Sequence, residues 1–278
     1  MEITNECSAE NTENVENEKV KTKKTRISNP PLNKYYKDDS IYEIGIDEVG
    51  RGPLFGRVYT AAVILPKDDS FMHIQMKDSK KFHSKKKIND VAEYIKKNAV
   101  AWSIHYEDEK IIDEINILQA TQKSMHSCIK HILQKNINSQ DNSCLFLNKT
   151  TARLLVDGNY FNSFTYFNTQ RKMIESYEHI CVEGGDNKYS AIAAASILAK
   201  VARDQYIEEL CEKYPTLIEY YSIDTNKGYG ARKHLDGIKQ HGITEWHRKS
   251  FAPCKNQGKT KNENFTFTHV EIESDDEE

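Results

Sequence analysis

The chain has 278 residues, 38% of them hydrophobic, with 39 basic and 42 acidic side chains and a formal net charge of -3. It holds no run of eighteen apolar residues and no apolar core of a secretory signal in MEITNECSAENTENVENEKVKTKKTR, so neither a membrane-spanning helix nor an exported product is expected. Its six cysteines, at 7, 128, 144, 181, 211 and 254, form no CxxC pair, which speaks for free thiols in a reducing, cytoplasmic setting and against a disulfide frame or a zinc site.

Residues 1–40 are polar and nearly free of large aliphatics before Pro30-Pro31, and they predict a disordered tail. Residues 42–47 (YEIGID) predict a strand, and after a glycine-rich turn 57–65 (RVYTAAVIL) predict another. A helix is expected over 84–97, with Ser84 placed to cap it. Just before and within its start, Lys77, Lys80, Lys81, Lys85, Lys86 and Lys87 stand against the single acid Asp78. That run reads equally as a solvated helix start or as a track for backbone phosphates.

Residues 99–106 alternate like a strand, and 111–135 read as a helix that stops before the polar run NINSQDNS. RLLVDG (153–158) is a short buried strand ending at Asp157, and HICVEG (179–184) is a further one. Residues 189–212 form an alanine-rich helix with a stripe at Ile192, Ser196, Ala199, Ala202 and Tyr206. The segment 205–250 reads as mostly helical. Residues 255–278 are a second polar tail whose last eight residues, EIESDDEE, carry six acids. Between residues 41 and 270 there are 32 basic and 28 acidic side chains, so the body is mildly positive and permits a polyanionic partner. Strands flanked by helices imply a layered α/β domain.

Carboxylates stand at the ends of those strands. Asp47 ends one, with Glu48 beside it; Asp157 ends another; Asp186 follows a third, just before a helix. Taken singly, each reads as a turn or cap residue. If the strands are neighbours, the acids converge at one edge of the sheet, where like charges raise each other's pKa unless a cation neutralises them. Oxygen ligands without nearby Cys or His favour a hard cation, and two such ions suit phosphodiester hydrolysis. Adjacent strand positions point to opposite faces, so Asp47 and Glu48 are expected to share a site only if the chain bends there; Gly50 and Gly52 would allow the bend.

The stretches GIDEVGRGPLFG (45–56), MKDSKKFHSKKK (76–87), LLVDGN (154–159), EGGDNKYSAIAAASILAKVARD (183–204), NKGYGARKHL (226–235) and HGITEWHRKSF (241–251) together resemble ribonuclease HII, the type 2 ribonuclease H, in its bacterial-type single-chain branch. The resemblance spans about 41–254. It implies a ribonuclease H-like mixed sheet flanked by helices, with a catalytic domain over 41–204 and a C-terminal helical segment over 205–254. It also implies an endonuclease in which Asp47, Glu48, Asp157 and Asp186 bind two Mg²⁺ or Mn²⁺ ions. The implied substrates are RNA/DNA hybrids and ribonucleotides embedded in duplex DNA, cut on the 5′ side of the ribonucleotide to leave 3′-hydroxyl and 5′-phosphate ends. By motif, Gly50, Arg51 and Gly52 face the minor groove, Arg51 holds a phosphate, Tyr229 packs on the sugar after the ribonucleotide, and Ser79 and Lys80 touch the substrate. A monomer free of the membrane is implied.

Phe55 and Arg57 depart from the family's usual small residue and proline, and the stretch 136–152 is longer than usual. The long helix spaces Lys200 and Asp204 to pair, with Asp204 structural. Two other readings stay open on sequence alone. One is a binding protein that keeps the fold without turnover; the other is a related nuclease acting on branched DNA.

Overall fold

The computed structural model describes residues 31–138, 147–169, 171–255 and 257. Its strands are β1 (Tyr42–Val49), β2 (Val58–Ile64), β3 (Ala101–Glu107), β4 (Ala152–Asp157), β5 (Thr165–Asn168), β6 (Met173–Ser176) and β7 (His179–Val182). The main sheet has the order β3-β2-β1-β4-β7. β1 pairs antiparallel with β2, in the register Asp47↔Ala61, and parallel with β4, in the register Ile46↔Val156. β4 pairs parallel with β7, in the register Asp157↔Val182. The sheet is therefore mixed, and β1, β4 and β7 all end at the same edge. Carboxyl ends of parallel strands are where open α/β sheets place their ligands.

Helices cover both faces. The period of two along β1 sends Ile44 and Ile46 to one face and Gly45 and Asp47 to the other. On the first face Ile44, Ile46, Ala62 and Ile64 pack with Met125, Cys128, Ile129 and Ile132 of α2 (Glu109–Asn138), which follows α1 (Lys85–Asn98) in the chain. On the second face lies α3 (Ser190–Lys213), whose Ala191, Ala194, Ala195 and Leu198 meet Ala61 and Val63. Small residues let α3 approach closely: a Cβ at Gly45 would stand 2.2 Å from the Ala191 carbonyl carbon. α4 (Thr216–Tyr221), α5 (Ile223–Asn226), α6 (Arg232–His241) and α7 (Ala252–Lys255) complete the described chain.

Ser84 caps α1, its hydroxyl accepting from the Lys87 N–H at 3.4 Å. The helix expected over 111–135 starts earlier, at Glu109, and is interrupted at Asn116, whose φ of 66° is not helical. The Asn116 side chain accepts from the Gln119 N–H at 3.1 Å and so restarts the helix as a cap would.

The hairpin β5–β6 has no counterpart in the sequence expectations. Its organiser is a buried acid, not an apolar face: Glu175 receives Lys149 Nζ at 2.8 Å, the Tyr166 hydroxyl at 2.8 Å, Asn168 Nδ2 at 3.1 Å and an Arg171 guanidinium nitrogen at 3.2 Å. Residues 31–40, grouped with the N-terminal tail on composition, run along the body. Asn33 exchanges backbone bonds with Lys188 and Ser190, and the Tyr36 and Lys37 N–H groups donate to Glu43. Residues 1–30 and 258–278 of the two predicted tails lie outside the described residues. Among the described residues no helix is long and apolar enough to cross a membrane.

Candidate active site

The open sheet edge is the floor of a cleft of about 440 Å³, and every site residue named from the sequence lines it. One carboxylate oxygen each from Asp47, Glu48 and Asp157 lie within 4.8 Å of one another. The registers explain this. β4 stops at Asp157, beside Asp47 on β1, while β1 continues to Val49 paired with β2 alone.

No bend falls between Asp47 and Glu48 themselves. Both residues stay in the β1–β2 ladder, opposite Ala61 and Thr60. Because β4 has ended, the longer Glu48 side chain reaches over the edge that it leaves open. The chain turns at Gly50, with φ 97°, one of the two glycines expected to allow a bend.

Burial, then the charges of Glu48 and Asp157, hold Asp47 well above the usual carboxylate range, although the Ser196 hydroxyl and the Glu48 N–H both bond it. Burial also raises Glu48, opposed by the Arg51 guanidinium 3.3 Å from its Oε1. Asp157 is tied down as well, its Oδ1 accepting from the Gly185 N–H at 2.6 Å.

Asp186 stands outside the tight threesome. It follows β7 on a short 3-10 turn, and Asn187 donates to it at 3.0 Å. Burial raises its pKa, followed by the charges of Asp78 and Asp157. Five acids thus line one cleft. Asp204 is paired with Lys200, and of the other four, three lie close enough to hold a common ion. No histidine or cysteine lines it among the described residues. An all-oxygen set of crowded, part-desolvated carboxylates fits a hard divalent cation.

The two glycines differ. Gly50 is buried, and a Cβ there would sit 2.4 Å from Arg203 Nε, so its positive φ and its neighbours both require glycine. Gly52 is exposed, and its nearest neighbour is the Tyr229 ring, 3.4 Å from an added Cβ. Arg248, fully buried, donates to the carbonyls of Gly50, Arg51, Pro53 and Gly56 at 2.6 to 2.9 Å and turns this side of the loop inward. Arg51 is left at the surface.

Tyr229 is half exposed, on a turn held by Gly228, whose carbonyl accepts from the Leu54 N–H at 2.8 Å. Lys80 is exposed in the cleft wall. Ser79 lines the cleft but is buried, its hydroxyl 3.0 Å from that of Ser196, so it supports Asp47 through Ser196.

Ser196, Lys200, Arg203, Asn226 and Lys227 also line the cleft and were not singled out for it. Ser196 was visible as the one serine in the stripe of α3. Arg203 and Arg248 carried no local signal, because their partners are backbone carbonyls distant in the chain, from 24 positions away at Lys227 to 198 at Gly50. Lys200 and Asp204 form the expected ion pair. Phe55 is buried against His247, and Arg57 stacks over Tyr106 and Tyr206, so both departures are absorbed by packing.

The model of the family described as Ribonuclease HII matches residues 44–254, a span that includes every residue of the cleft. The chain belongs to the ribonuclease HII family. A ribonuclease HII of Bacteroides thetaiotaomicron is 40% identical over 216 residues, covering 78% of this chain and 92% of that protein. The ribonuclease H2 of Pyrococcus horikoshii OT3 shares the fold at a TM-score of 0.53 and 21% identity, covering 78% of this chain and 96% of that one. Bst-RNase HIII in complex with Mn²⁺ does so at 0.55 and 16%, covering 78% and 69%. As a ribonuclease HII the chain is a metal-dependent type 2 ribonuclease H, of a family that cleaves RNA paired with DNA.

Proposed function

We propose that the protein hydrolyses the phosphodiester on the 5′ side of a ribonucleotide, in RNA/DNA hybrids and in duplex DNA holding single ribonucleotides, and leaves 3′-hydroxyl and 5′-phosphate ends. The observation that carries this reading is the meeting of Asp47, Glu48 and Asp157 at the floor of a cleft whose rim holds Arg51, Gly52 and Tyr229. Asp47, Glu48, Asp157 and Asp186 would hold two Mg²⁺ or Mn²⁺ ions, which activate water and stabilise charge on the leaving oxygen when bound. The Mn²⁺ in Bst-RNase HIII supports that choice of ion.

The chain's own groups do the rest. Gly52, lacking a side chain, admits the minor-groove face of the substrate, where a 2′-hydroxyl marks a ribose. Arg51 swings from Glu48 to the adjacent phosphate, and Lys80 neutralises another. The Tyr229 ring packs on the sugar that follows the ribonucleotide and favours one without a 2′-hydroxyl. Gly50 and Ser79 serve the site from behind, through the loop and through Ser196. In this division residues 41–204 supply the acids and 205–254 supply Tyr229 and the Arg248 clamp. The free Cys128, Cys181, Cys211 and Cys254 support a reducing, cytoplasmic location, and the protein acts as a monomer.

The test is cleavage of a DNA duplex with one internal ribonucleotide, in Mg²⁺ or Mn²⁺, with product ends mapped. A single cut 5′ to the ribonucleotide is expected. Cutting of an all-DNA branched substrate without such a cut would assign the site to a different nuclease chemistry. Tight binding without any cut would make it a binding protein.

A further inference from the structure

Two histidines behind the cleft are fully buried and 3.0 Å apart, Nε2 to Nε2. Their protons can be placed from their partners. The Thr244 backbone N–H, which can only donate, points at His247 Nδ1 at 2.9 Å, and the Thr244 hydroxyl lies 2.8 Å from the same atom. His247 Nδ1 is therefore a lone pair, and its proton sits on Nε2. That proton is donated to His234 Nε2. His234 must then carry its own proton on Nδ1, where it is donated to the Tyr229 carbonyl at 2.8 Å.

Only two neutral rings satisfy all of these hydrogen bonds, since a second proton on either would set two N–H groups against each other. Burial, reinforced by His234, accordingly pushes His247 down to about 3. Phe55 and Tyr221, both buried, meet the His247 ring at 5.1 Å and keep water away. Two imidazoles taken out of water are costly unless each polar atom is used, and here each is.

The relay begins on one backbone group and ends on another, the carbonyl of the tyrosine that lies against Gly52. The residue next to His247 is Arg248, which grips the adjoining loop through the carbonyls of Gly50, Arg51 and Pro53. One dipeptide, His247-Arg248, thus holds both the Gly50–Pro53 loop and, through His234, the Tyr229 carbonyl.

We propose that His234 and His247 are positioning residues, which fix Tyr229 over Gly52 through the hydrogen bond to its carbonyl and so set the preference for a deoxyribonucleotide after the ribonucleotide. The inference rests on the reading of Tyr229 given above. The proton order is checked on the wild-type protein by ¹⁵N-edited NMR of the imidazoles at pH 7. His234 should report the Nδ1–H tautomer and His247 the Nε2–H tautomer. Two like tautomers, or an imidazolium, would overturn the relay, whatever the activity.

The role is checked with two variants. In His234→Asn the amide nitrogen takes the place of Nδ1 and keeps the bond to Tyr229; in His234→Gln that donor is lost. His234→Gln should lower kcat/KM on a single-ribonucleotide duplex, relative to an all-RNA hybrid, by about tenfold, as misplacement of a positioning group does. His234→Asn should restore most of the ratio. An equal loss on both substrates, or no difference between the variants, would reduce the pair to packing. A wild-type protein that cuts neither substrate would defeat the proposed function instead, and the NMR result would still decide the proton order.

Discussion

At the scale of single residues, the site is a place where folding and function pull apart. Asp47 is buried beside two other carboxylates, so its ionised form is disfavoured in the folded chain and free in the unfolded one. The folded state then holds its proton to higher pH than the unfolded state does. Stability of the ion-free protein falls as pH rises from about 4, the unfolded value, through the raised folded value. Asp47→Asn removes that loss. In chelator at pH 7.5 the variant should melt higher than the parent, by roughly 2–4 °C for each kcal/mol recovered, and the gap should close toward pH 4. Cleavage should be abolished, and the rise in melting temperature that Mg²⁺ gives the parent should shrink. A variant less stable than the parent at pH 7.5 would show Asp47 to be a structural group. The glycines separate the same two roles. Gly50→Ala meets Arg203 and a positive φ, and should cost about 1–3 kcal/mol of stability. Gly52→Ala meets only the Tyr229 ring and should leave the melting temperature nearly unchanged while cleavage falls. Loss of stability at Gly52 would return that glycine to the fold.

At the scale of elements, what was legible in the sequence was what has a period or a stop signal. The strands of the main sheet and α3 are visible because apolar residues recur on their buried faces and acids or glycines end them. The meeting of the acids was legible through those strand ends, though not the manner of it. Neighbours on a strand face opposite ways, so the pattern alone calls for a bend; the register of β4, which no local pattern encodes, lets Asp47 and Glu48 meet before the turn at Gly50. β5 and β6 left no apolar trace because a charged centre holds them. Thr165, Phe167, Met173 and Ile174 are not buried, and the buried position is Glu175. Each cation or hydroxyl around that carboxylate is unremarkable in sequence until the hairpin brings it there. Glu175→Leu should therefore loosen this hairpin alone. Amide exchange over 165–176 should quicken by about tenfold or more, the equivalent of roughly 1.4 kcal/mol, while α3 keeps its protection. Uniform loss of protection would mean that the hairpin is part of the cooperative core.

At the scale of the whole molecule, a net charge of -3 describes the chain poorly, because six acids crowd its last eight residues while the body has a basic excess. The lysines of 77–87 are the obvious place for a duplex to lie, yet the structure sorts them. Lys85 is spent on Glu208 at 2.5 Å, Lys81 on Asn187, and Lys77 lies over the Phe82 ring. All six are exposed; Lys80 lies in the cleft, and Lys86 and Lys87 stand on the opening turn of α1. If the duplex runs from the cleft along that turn, these three neutralise phosphates and Lys85 does not. Binding is best read on the Asp47→Asn background, where the substrate stays whole. Replacing Lys80, Lys86 and Lys87 by alanine should flatten the slope of log Kd against log salt by about 0.9 for each phosphate no longer neutralised. Lys85→Ala should leave the slope close to the parent's. So should an equal loss of charge at Lys96, Lys97 and Lys130, and that comparison separates a track from a general field. If all three sets flatten the slope alike, the duplex is attracted by total charge and the path along α1 is wrong. If only the first set does, the acids, the Arg51–Gly52 rim and the start of α1 form one continuous surface, and the substrate enters along it.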